Sequence, residues 1–158
     1  MTVVNPESIT FGIEIECYAP GVQVGGYHAG RSIPGFPAGW NAQADGSLGS
    51  GGTEIVSPVL KGRDGINQVQ AVCEKLNSLN AKVDGRCGFH VHIGFDHTNA
   101  EALKRLIYLV ANFEKALFAA TGTKRREASC YCKGISRDFR NLQLGRPTRS
   151  LGHVAGDR

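Results

Sequence analysis

The amino-acid sequence predicts an α+β fold in which an apolar face of a β-sheet rests on helices. Two stretches, "TFGIEIEC" near the start and "CGFHVHIGF" past the middle, alternate apolar and polar residues with a period of two. Two further stretches, opening at Asp64 and at Thr98, repeat apolar residues at helical spacing.

The first strand is read over residues 10–19. Ile9, Phe11, Ile13, Ile15 and Cys17 hold the odd positions, and Thr10, Gly12, Glu14 and Glu16 the even ones. Alternate side chains of a strand point to opposite faces, so the odd face is a core face. The even face presents two carboxylates roughly 7 Å apart, at a rise of about 3.3 Å per residue. Residues 20–52 are too rich in Gly and Pro for regular elements beyond a short strand around Trp40. A segment of that length is a functional loop or a disordered one, and Trp40 and Phe36 read either as a lid or as an anchor packing the loop on itself. "GTEIVSPVL" gives the next strand, with Glu54 and Val56 on one face, Ile55 on the other, and Pro58 closing it.

Asp64 is placed as the cap of a helix with Ile66, Val69, Val72, Cys73, Leu76 and Leu79 on its apolar side. The strand at residues 87–95 repeats the grammar of the first, with Phe89, Val91, Ile93 and Phe95 on one side and Gly88, His90, His92 and Gly94 on the other. The glycines leave room for a close approach to the backbone. "TNAE" has the spacing of a capping box from Thr98 to Glu101, and it opens a helix striped with Leu103, Leu106, Ile107, Val110, Phe113 and Leu117.

With 158 residues the chain is read as a single domain, an ordered core over 1–120 followed by a less regular tail. No apolar run approaches the roughly 20 residues that span a membrane, and the start lacks the pattern of a signal peptide. Five irregularly spaced cysteines do not make a disulfide framework, which predicts a reduced, cytoplasmic protein. The net charge of +4 is uneven. Residues 1–120 carry 9 Lys/Arg against 11 Asp/Glu, and residues 121–158 carry 9 against 3. That tail could attract nucleic acid through phosphate neutralisation, yet it interleaves no aromatic residues with base-reading ones, so a nucleic-acid partner is not expected.

If the two alternating strands share a sheet, Glu14, Glu16, His90 and His92 fall on one face, joined by Glu54 and by Asp45 from the loop. A wet sheet face alternates in the same way with no function attached. Here, however, each strand repeats one ionisable residue. Like charges gathered on a face repel and cost stability unless a cation neutralises them. Oxygen ligands suit Mg²⁺ or Mn²⁺, and a marginal histidine suits Mn²⁺ or Zn²⁺. The expectation is a divalent-metal site. A competing reading is a zinc-dependent hydrolase using His90 and His92 with Cys130 and Cys132, and with Cys87, although Cys-x-Cys is not the usual zinc spacing.

"FGIEIE", "ADGSL", "GTEIVSP" and "CGFHVHIG", in that order, resemble the putative amidoligase family, a branch of the carboxylate–amine ligase superfamily that includes glutamine synthetase and glutamate–cysteine ligase. The resemblance runs from about Phe11 to about Tyr131. It implies a curved antiparallel sheet backed by helices, as in the glutamine synthetase catalytic fold. It also implies an ATP-dependent ligase that phosphorylates a carboxylate and lets an amine displace phosphate from the acyl phosphate, with Mg²⁺ or Mn²⁺ ions holding the phosphates. The substrates would be small-molecule or peptide carboxylates and amines. By this resemblance Glu14, Glu16, Glu54 and one histidine (His90) ligate metal, His90 or His92 contacts nucleotide phosphate, and Asp45 lies at the substrate end. Arg125 and Arg126, in "RREASCYC", match a basic pair suited to clamping phosphate or carboxylate. As a solvated helix end they would instead complement the helix dipole.

Relatives of this type continue further, with segments that complete the site, so the resemblance also implies a C-terminally truncated chain, or one completed by a partner. A non-catalytic nucleotide- or protein-binding domain is the third reading.

Overall fold

A computed structural model describes residues 5–96 and 98–122, together with 126, 127, 129, 130, 132, 134 and 135. It divides into two compact units, Met1–Phe95 and Asp96–Arg158. The fold is α+β with an antiparallel sheet, as the alternation predicts.

The first unit is built on β1 (Thr10–Cys17), the central strand of a six-stranded sheet. The other strands are β2 (Arg31–Ser32), β3 (Asn41–Gln43), β4 (Thr53–Val56), β5 (Leu60–Lys61) and β6 (Phe89–Ile93). β2, β3, β4 and β1 pair in that spatial order, all antiparallel. β1 uses its two edges differently. Odd residues bond toward β4 and β5, as in Ser57 N–H to Ile13 O (2.9 Å) and Gly62 N–H to Ile9 O (3.2 Å). Even residues bond toward β6, as in Glu16 N–H to Gly88 O (3.1 Å) and Gly94 N–H to Thr10 O (2.7 Å). β4 and β5 therefore share one edge of β1, with the break between them at Ser57–Val59. There the Ser57 hydroxyl accepts the Ile13 N–H (2.8 Å) and donates to Pro58 O (2.8 Å), so the amide stays satisfied as the chain turns away.

The register brings the core together. Ile15 pairs with Ile55, Ile55 with Ala42, and Phe11 with Leu60, all on the odd face. Helix α1 (Gly62–Ser78) supplies Val72 and Leu76 to the same cluster. Asp64 does not cap this helix. Lys61 occupies the cap position without a side-chain bond, and the first turn is held instead by Glu7, whose carboxylate accepts the Arg63 N–H at 2.9 Å. Glu7 lies in a 3₁₀ turn, Pro6–Ser8, which packs against the helix start. Gly62 opens the helix at φ 51°, where a side chain would be strained and would meet Glu7. Cys73, expected in the core, is exposed, because the buried side of α1 narrows to Gly65, Val72 and Leu76.

The Gly- and Pro-rich stretch 20–52 is anchored to the core by its own apolar residues. Trp40, Ala42, Leu48 and Ile33 are buried, and the Trp40 indole N–H donates to Gln68 Oε1 at 3.3 Å. The strand expected around Trp40 is β3, and Phe36 packs on the same core. β6 alternates as predicted, but its apolar residues Phe89, Val91 and Ile93 are exposed, since α1 lies over β1 and β5.

In the second unit, α2 (Ala100–Ala120) starts one residue later than the capping-box pattern suggests. Asn99 is the cap and its side chain accepts the Ala102 N–H (3.0 Å), while Thr98 is occupied with Asp96, its hydroxyl bonding Oδ1 at 2.6 Å. No helix among the described residues is long and apolar enough to cross a membrane.

Candidate metal centre

The even face of the sheet carries the site. The ladders put Glu16 opposite Glu54 and Glu54 opposite Gln43, a polar row across β1, β4 and β3. A second row runs from His90 to Glu14, with His92 opposite Gly12. Glu14, Glu16, Glu54, His90 and His92, expected on one face, are thus brought together by strand register alone. Asp45 joins them from the turn after β3, where its carboxylate accepts the Ser47 N–H (2.6 Å). The Ser47 side chain, the largest influence, together with this backbone N–H holds the Asp45 carboxyl below its ordinary value against the opposing effect of burial.

Two sets of side chains offer ligand atoms that all lie within 4.8 Å of one another: Glu14, Glu54 and His90, and Glu16, Asp45 and Glu54. Glu54 belongs to both. Glu16 and Glu54 are buried, 6 and 7% exposed, despite their charge. Buried carboxylates need partners, and part of that need is met locally. Glu16 Oε2 accepts the Gly88 N–H at 2.6 Å, and Glu54 Oε2 accepts from Gln43 Nε2 at 2.6 Å. A Cβ at Gly88 would lie 3.1 Å from Glu16 Oε1 and 3.0 Å from His90 Nε2, so a side chain there would displace both groups by a few tenths of an ångström.

The histidines are more open. Glu14 Oε2 lies 2.7 Å from His90 Nδ1, and its Oε1 lies 3.2 Å from His92 Nε2. Burial pushes the Glu14 carboxyl up, but the hydrogen bonds and charge of His90 and His92 outweigh it and bring the group below its usual value. His90 Nε2 lies 3.7 Å from Glu16 Oε1. A carboxylate held against one nitrogen of an imidazole, as Glu14 is against His90, is a common arrangement around metal ions. The donor set, carboxylate oxygens with one imidazole at the margin, fits Mg²⁺ or Mn²⁺.

Cys87 does not join this cluster. Register places it on the odd face, opposite in direction to His90 and His92, and neither set of ligand atoms among the described residues contains a cysteine. Cys130, Cys132 and Arg126 belong to the second unit, and Arg125 lies outside the described residues.

Gln43 is the member that sequence reasoning missed. The available signal was its parity with Asn41 around Trp40, two residues before Asp45. Beside the cluster, the Tyr18 hydroxyl donates to Leu48 O (3.1 Å), and the Arg86 guanidinium lies over the Tyr18 ring, 5.4 Å from its centroid. These contacts hold the 44–52 turn against the end of β1. They border a cleft of about 530 Å³ lined by Tyr18, Val22, Val24, Asp45 and Gly49–Thr53.

A family model described as "putative amidoligase enzyme" matches residues 40–154. The match takes in Asp45, Glu54, His90 and His92 and starts after β1, so Glu14 and Glu16 are tied to the family's segment by pairing with β4 and β6. No curated protein and no solved structure matches the chain.

Proposed function

The chain belongs to the amidoligase family, whose function is of the ligase type, and on that premise we propose that it is an ATP-dependent carboxylate–amine ligase. The observation that carries this reading is the pair of ligand sets joined through Glu54 on one sheet face. Enzymes that move phosphoryl groups work chiefly by positioning and charge stabilisation, so a preformed carboxylate cluster is the feature such chemistry needs.

In this reading Glu14, Glu16, Glu54 and Asp45 hold Mg²⁺ or Mn²⁺, with His90 as a marginal ligand. A divalent ion bound there would neutralise the phosphate oxygens during transfer. Glu14 keeps the His90 ring oriented through the 2.7 Å contact. His92, more exposed, is available to a nucleotide phosphate. A substrate carboxylate oxygen attacks the terminal phosphorus of ATP and ADP leaves. The amine nitrogen then attacks the acyl carbon of the acyl phosphate, phosphate departs with the bond electrons, and a proton is released. Arg125 and Arg126 are assigned to the phosphate or carboxylate clamp on the family pattern. The cleft beside Asp45 is the place for the amine or carboxylate substrate. The sheet would correspond to the catalytic sheet of the glutamine synthetase type.

Calorimetric titration of metal-free protein with ATP, with and without Mg²⁺, tests the assignment beside Glu16→Ala. Mg²⁺-dependent binding that is lost in the folded variant supports it. ATP binding that ignores both Mg²⁺ and the substitution, or no binding to the folded wild-type protein, overturns it.

A further inference from the structure

The β1–β6 ladder carries a second chemical feature on the face away from the carboxylates. Its register runs from Phe11 opposite Ile93 to Ile15 opposite Phe89, and the Glu16 N–H to Gly88 O bond extends it by one residue. One further step of that register sets Cys17 across from Cys87, just before the chain leaves the ladder for the Tyr18–Lys82 bridge, and the Cys87 thiol is close enough to act electrostatically on Cys17. Because the bonds to β6 come from even residues of β1, this pair falls at a non-hydrogen-bonded position. Cα atoms at such positions are about 4.5 Å apart and their side chains are at their closest. Disulfides span Cα separations of about 4.4–6.8 Å. Both residues lie on the odd face, 2 and 8% exposed, and both are thiols.

We propose that Cys17 and Cys87 are a cross-strand thiol pair that a low-molecular-weight disulfide converts into an intramolecular disulfide. Cys87, the more accessible of the two, attacks one sulfur of the small disulfide, forming a mixed disulfide and releasing one small thiol. Cys17 then attacks the Cys87 sulfur and expels the second small thiol. Two cysteines are oxidised to one disulfide, one small disulfide is reduced to two thiols, and the two cysteine protons leave with those thiols. Cys87 Sγ now accepts the Asp84 N–H (3.4 Å) and donates to Asp84 Oδ1 (3.9 Å). A disulfide sulfur keeps the first contact and gives up the second. The bridge would tether Glu16 and Gly88, the neighbours of the two cysteines, whose hydrogen bond places the Glu16 carboxylate on the other face.

The test is incubation of the folded full-length protein with oxidised glutathione, followed by non-reducing peptide mapping by mass spectrometry. The expected result is a Cys17–Cys87 linked peptide, while exposed Cys73 accumulates the glutathione adduct and serves as the internal control. Cys17→Ser should then leave Cys87 trapped as the glutathione adduct, and Cys87→Ser should leave Cys17 reduced. Recovery of Cys87 as a thiol or a persistent adduct in the wild-type protein, with Cys73 fully modified, overturns the proposal, and that map needs no variant to fold.

Discussion

Replacing Glu54 with Gln should stabilise the metal-free protein while weakening its response to metal. Glu54 shares the ligand set of Glu16 and Asp45, whose oxygens lie within 4.8 Å of its own, and it is 7% exposed. Two unit charges at that distance repel by about 3.5 kcal/mol at an effective dielectric constant of about 20. Hydrogen bonds from Gly88 and Gln43 already offset part of this, and glutamine keeps an oxygen that can accept from Gln43. A net gain of about 1–3 kcal/mol is therefore expected in chelator, a rise of about 2–12 °C in Tm at roughly 2–4 °C per kcal/mol for a chain of this size. Added Mn²⁺ should reverse the order. Saturating metal at about 100 times its Kd adds about 2.7 kcal/mol to the protein that binds it, and the Gln variant should gain little. Thermal unfolding followed by circular dichroism, with chelator and with Mn²⁺, reads both effects. A lower Tm for the variant in chelator, or an equal gain from Mn²⁺ in both proteins, would refute the reasoning.

Two further outcomes follow from the scaffold. Ser57→Ala removes the acceptor of the Ile13 N–H in the middle of β1 and should cost about 1–3 kcal/mol through a buried, unsatisfied donor; denaturant unfolding with no loss of stability would contradict this. Asp84 should titrate at about 2 in carboxyl-detected NMR, because the Arg86 side chain and then its backbone N–H hold the carboxylate. Its folded value lies below the ordinary 3.8, so the unfolded chain binds the extra proton first. The stability it contributes is present above that value and is lost as the pH falls toward 2. Arg86→Ala should bring the midpoint back up, and an unchanged midpoint would show that the pair does not hold it.

Parity made most of the site legible. Glu14 and Glu16, or His90 and His92, announce their shared face because a strand repeats every two residues, and β1 and β6 keep that repeat without a bulge. What the sequence hid depends on contacts far along the chain. Trp40 sits among glycines and prolines, and nothing local indicates that it is 1% exposed against α1 and bonded to Gln68. The helix starts were missed for a similar reason. Glu7, more than fifty residues earlier, supplies the bond that Asp64 was expected to make. Thr98 lost its capping role to Asn99 because Asp96 competes for its hydroxyl. Gln43 escaped notice because its partner, Glu54, is identified only once β3 is paired with β4.

The strict division of β1 between an apolar odd face and a charged even face also limits how its gene can change in length. Deleting or inserting a single codon within residues 10–17 would turn Ile13 and Ile15 toward the carboxylate side and send Glu14 and Glu16 into the core beside Ile55. Both neighbouring ladders would be offended at once, since β4 and β6 read the same strand from its two edges. Length variation should instead collect where pairing stops, as at the isolated bridge between Gly26 and Ala29 or in the turn at residues 49–52, and β1 should stay constant in length.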